Sequence, residues 1–212
     1  MLTAVALATT VGLGATSWII SLRQMGGMDM GIATQLGSFT SFLVLWVVMM
    51  AAMMLPGAAP AVFRLAHLGG RVHDLLLFVW AYLAVWAVFG VAVYALYRPH
   101  GSLVAGAIVI AAGVYEFTPV KQGFRRRCCE NVRSGFNFGL CCVGSSIGLM
   151  LMLLALGVMS VMWMSVITTI IIVQKVFPTR IAIDVPLALT IVGLGVLIII
   201  APLSIPGLTP PM

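Results

Sequence analysis

A chain of 212 residues that is 62% hydrophobic and only 8% charged cannot cover itself with a solvated surface, because soluble domains carry roughly 25% charged residues. Composition therefore excludes a soluble globular domain and places the chain in a bilayer. The net charge of +6 does not point to nucleic acid, since the basic residues sit in short connectors between long apolar runs, where they act as topology signals.

The first apolar run, Leu2 to Leu22, is about as long as hydrocarbon requires and lacks a basic start and a small-residue cleavage site. It is expected to be a retained helix. The connector that follows, "RQMGGMDMGIATQ", holds Met25, Met28 and Met30 around Asp29 among glycines. Thioethers gain little from burial in such a connector, whereas thioethers with a carboxylate suit a weak Cu(I) site in which the carboxylate helps to hold Cu(II).

The second run, Leu36 to Ala58, contains "WVVMMAAMMLPGAAP". On a helix Met49 pairs with Met53 and Met50 with Met54 at a spacing of four, so at least one face presents thioethers in consecutive turns. Methionine also fills irregular gaps in apolar bundles, so packing and a Cu(I) ladder both remain open readings. Pro56 lies near the inner end of this run, where a kink or a helix stop costs little. His67, His73 and Asp74 follow in a connector read as a solvated loop, with a metal exit site at His73 and Asp74 as the alternative.

After the third run, Leu75 to Tyr97, the loop "YRPHGS" brings His100, which with Met159, Met162 and Met164 is a candidate to complete the outer metal site. The fourth run, Leu103 to Phe117, is short and carries Glu116, the one ionisable group inside a span. Such a group costs at least about 2.5 kcal/mol on insertion scales and demands a partner. Lys175 is the expected one, with a proton or metal relay as the alternative. The connector "KQGFRRRCCENVR" reads as an anchor for anionic headgroups. Its Cys128 and Cys129, with Cys141 and Cys142 nearby, are a conceivable soft-metal acceptor.

The fifth run, Phe138 to Leu156, is preceded and lined by Gly135, Gly139, Gly144 and Gly148, small residues that let helices approach closely in lipid. Little more than Gly157 separates it from the sixth, Val158 to Phe177, so a very tight turn is expected there. The seventh is Val185 to Leu203. The expected fold is thus an all-α polytopic bundle, a single transmembrane domain over 1–212 with seven spans, or six if the fifth and sixth fuse or one is re-entrant. Arg64, Arg71, Lys121, Arg125, Arg126, Arg127, Arg133, Lys175 and Arg180 collect on one side, against Arg23 and Arg98 on the other. The side richer in Lys and Arg is cytoplasmic, which puts the amino terminus inside and the carboxyl terminus and the Met25 to Met30 connector outside. No nucleotide loop, supported nucleophile or zinc-hydrolase motif occurs, so no enzyme is expected.

The segments "WVVMMAAMMLPGAAP", "AAGVYEFTPVK", "GFNFGLCCVGSSIGLM" and "GVMSVMWM", in that order, resemble the predicted metal-binding integral membrane proteins, a family of unassigned domain function. The resemblance runs from about Met25 to Arg180, and its most specific part is the Met49 to Pro56 run. It implies a polytopic protein that handles a metal, supplying copper to a copper-dependent oxidase. Against the family's CxGCCW pattern, Cys142 and Gly144 match, while Ser145, Ser146 and Ile147 stand where Cys-Cys-Trp is usual. Phe124 and Gln174 likewise replace an expected cysteine and glutamate. Two functions follow from this asymmetry. Either the protein captures copper outside through Met25, Met28, Asp29 and Met30 and hands it to subunits of a copper-dependent membrane oxidase or monooxygenase, or it is a structural subunit of a multisubunit membrane complex that has lost metal binding. Transport of metal across the bilayer is third, since acidic ligands within the spans are nearly absent.

Overall fold

The computed structural model describes residues 2–25, 38–68, 71–98, 101–130, 134–157, 160–176 and 181–201, and these form an all-α fold. Eight helices follow one another: α1 (Leu2–Met25), α2 (Phe39–His67), α3 (Val72–Leu96), α4 (Ser102–Glu116), α5 (Pro119–Glu130), α6 (Gly135–Leu156), α7 (Val161–Val176) and α8 (Ile181–Ile200).

Among the described residues three helices, α2, α3 and α6, are long and apolar enough to cross a membrane, so the protein is membrane-embedded. The fourth expected span is realised differently. Fifteen residues of α4 rise only about 22 Å, short of the roughly 30 Å of hydrocarbon. Helices α4 and α5 form a bent apolar pair with 65° between their axes, a broken span or a re-entrant loop, so the count is three, or four if the pair is one span. The break falls at Pro119, which lacks an amide proton and biases Thr118 away from helix. The "KQGFRRRCCENVR" segment, expected as a connector, is therefore largely helical. Helices α7 and α8 are apolar but shorter in their described parts.

Helix α2 starts at an N-cap, Ser38, whose hydroxyl accepts from the Ser41 amide at 3.4 Å. It runs on through Pro56 and Pro60 to His67, past the stop expected near Ala58. Each proline removes one helical hydrogen bond, yet Ala61, Val62 and Leu65 continue the buried face and keep the helix going. His73 and Asp74 do not form a loop. They lie in the first turn of α3, where the Asp74 carboxylate accepts from the Arg71 amide at 2.8 Å.

The chain separates into two compact units. The first comprises α1 to α3, the end of α5 and the start of α6; the second comprises α4, the start of α5, the remainder of α6, α7 and α8. In the first unit α3 packs on α2 through Tyr94, whose ring lies 5.2 Å from that of Phe39 and 5.3 Å from that of Phe42. The glycines of α6 act as the small-residue spacing implies. Gly135 sits on the backbone of Phe78, where an added Cβ would lie 2.8 Å from its Cα, and Gly139 sits on Val85. In the second unit α4 and α8 touch backbone to backbone: a Cβ at Gly195 would lie 2.9 Å from the Ile110 amide nitrogen and 3.0 Å from the Gly106 oxygen. The tight turn expected at Gly157 is present, with φ at 125°, a conformation cheap only for glycine.

Candidate metal-handling site

The first unit is rich in sulfur at its centre. Every residue from Met49 to Leu55 is buried, and none of Met49, Met50, Met53 and Met54 exposes more than 1% of its surface. At this level α2 is enclosed all round, so the methionines form no stripe on an open face. Above them Trp46 is fixed by its indole N–H donating to the Trp86 carbonyl at 3.0 Å, with Gly90 clearing space for the ring. A thioether needs no hydrogen-bond partner and bends to fit irregular gaps, which is why this composition tolerates full enclosure.

One turn of α3 before Trp86, the Tyr82 hydroxyl lies 3.2 Å from the Cys142 sulfur, and both side chains are completely buried. Cys141 is buried too, and neither cysteine is in a disulfide. Sequence reasoning had no reason to single out Tyr82; an aromatic with a polar tip in an apolar run was the available signal. Ser145 and Ser146, at the positions where the resembled pattern has cysteines, are buried and supply harder, weaker ligands for a soft ion.

The second unit contains the buried charges found among the described residues, Glu116 and Lys121. Glu116 does not pair with Lys175 as expected: its Oε2 accepts from the Lys121 ammonium, five residues on and across the bend, and from the Gln174 amide at 2.9 Å. Lys121 also donates to the Gln174 carbonyl at 3.1 Å. The side chains of Lys121 and Glu116 are only 2% and 1% exposed. By sequence Lys121 counts with the cytoplasmic-side basic residues of a headgroup-anchoring connector, and the Thr118-Pro119 break that brings it to Glu116 was the missed signal.

The outer-loop candidates cannot be placed in this geometry. Met28, Asp29, Met30, His100 and Met159 lie outside the described residues, as do the side chains of Met25, Cys128 and Cys129. Met164 is buried and Met162 half-exposed at the start of α7. Among the described residues no three His, Cys, Asp or Glu side chains come together to hold a metal ion.

Long apolar helices, with buried thioethers and thiols in the first unit, define a membrane protein that carries soft donors. Residues 43–198, from early α2 to near the end of α8, match the model of a copper-chaperone family, PpoB2. The chain belongs to that family, and a copper-chaperone role is an accessory, non-catalytic one. No curated protein and no solved structure matches the chain.

Proposed function

We propose that this chain is a non-catalytic accessory subunit of a copper-handling membrane complex, a single transmembrane domain that acts as scaffold beside a copper-dependent oxidase or monooxygenase. The observation that carries this reading is the enclosure of Met49, Met50, Met53 and Met54, whose thioethers are committed to packing around α2. Buried Ser145 and Ser146 support it from the other side, since a soft ion is held poorly by hydroxyl oxygen. Membership of a copper-chaperone family supports the copper context.

A second reading keeps metal capture at the surface, with Met25, Met28, Asp29, Met30 and His100 taking Cu(I) on the extracytoplasmic side. The donor chemistry of that connector favours it. It requires the seven-span topology with the amino terminus inside, which the distribution of Lys and Arg supports. Copper quantitation on purified protein, beside a variant with Met25, Met28 and Met30 all changed to leucine, separates the two. The scaffold reading expects negligible copper in both preparations. Stoichiometric copper in the parent that disappears in the variant would replace it with the capture reading.

A further inference from the structure

Neither copper reading uses the Glu116 cluster. Two oxygens from different helices, Glu116 Oε2 on α4 and Gln174 Oε1 on α7, meet at the Lys121 ammonium. A third oxygen, Glu116 Oε1, is buried and has no hydrogen-bond partner among the described residues. A Cβ at Gly148 would lie 3.6 Å from it, so the α6 glycine leaves ordinary contact space beside that oxygen. A carboxylate this deeply buried is costly unless a cation accompanies it, and an oxygen without a donor adds to the cost.

We propose that Glu116 and Gln174 form a monovalent-cation site that the chain fills with its own Lys121. The ammonium is a compact point charge on a flexible stem, close in size and charge to the small cations that oxygen ligands hold. Tethering it to α5 makes occupancy permanent and independent of the surrounding salt. The same tether fastens the bent α4–α5 pair to α7, so withdrawal of Lys121 leaves a vacancy for an alkali-metal ion or a small primary ammonium.

The test is thermal unfolding in detergent of the parent, Lys121→Ala, and Lys121→Ala with Glu116→Gln, each in sodium, potassium, methylammonium or tetramethylammonium chloride at equal ionic strength. The parent is expected to melt alike in all four. Lys121→Ala is expected to melt lower in tetramethylammonium, which is too large for the site, and to recover by at least about 3 °C, saturably, in one of the smaller cations. The double variant, lacking the charge that recruits a cation, is expected to show no such recovery. A Lys121→Ala protein whose melting is indifferent to the cation, or a double variant that recovers equally, would overturn the proposal. So would Lys121→Ala failing to fold in every salt while Lys121→Arg folds.

Discussion

Trp46 and Gly90 show how little slack the first unit has. An added Cβ at Gly90 would come within 2.6 Å of the Trp46 indole nitrogen, and that nitrogen is already held by the Trp86 carbonyl. The ring can yield only by breaking a buried hydrogen bond, which leaves a polar group unsatisfied. Gly90→Val should therefore destabilise the protein by about 1–3 kcal/mol, read as a fall of several degrees in melting temperature. A melting temperature equal to the parent's would mean the ring moves freely. Residue-scale partners of this kind were the least legible from sequence. The need for a counter-ion to Glu116 followed from burial cost alone, but choosing Lys121 over Lys175 required knowing that the chain bends at Pro119. The methionine spacing was equally plain, while the enclosure of all four side chains depends on neighbours that no local pattern names.

At the scale of helices, the apolar runs of the sequence mark the positions of the helices, but among the described residues only those of α2, α3 and α6 reach bilayer length by themselves. Departures occur where a run and a helix are different things. Helix α2 outlasts its apolar run through two prolines, and α5 is a helix built from a polar, arginine-rich segment that hydropathy reads as connector. The α4–α8 pair shows what glycine spacing accomplishes: a side chain at Gly106 or Gly195 would meet an isoleucine side chain first, Ile199 or Ile110, and behind it backbone atoms that cannot rotate aside. Gly195→Val is expected to force the two helices apart and lower the melting temperature by several degrees, at about 1–3 kcal/mol. Gly193, two residues earlier, has open space around it, so Gly193→Ala should leave stability within about 0.5 kcal/mol. Equal effects at both positions would show that helix propensity, rather than close approach, governs α8.

For the whole molecule, the proposed topology is a statement about which connector meets which compartment, and it is carried by charge. A cysteine placed at Gly27, in the methionine-rich connector, should react in intact cells with an impermeant thiol reagent. Protection until lysis, in cells that express the chain without a partner to mask the connector, would reverse the orientation and remove copper capture from the outer face. Composition established the membrane setting, because charge is too scarce for any other environment, and the length of the apolar runs gave the all-α class. Division into two compact units was not legible, since both draw on parts of α5 and α6 and no break in composition marks the seam.

The enclosure of α2 also bears on chemistry that has nothing to do with metal. Oxidation of a thioether to its sulfoxide makes a flexible apolar side chain polar, and a packed interior has no room for the added oxygen. Met162, 49% exposed, stands open to peroxide, while Met49, Met50, Met53 and Met54 are walled off by their neighbours. Sulfoxide at any of those four positions therefore reports a molecule that has come open, and its formation would keep it from closing again.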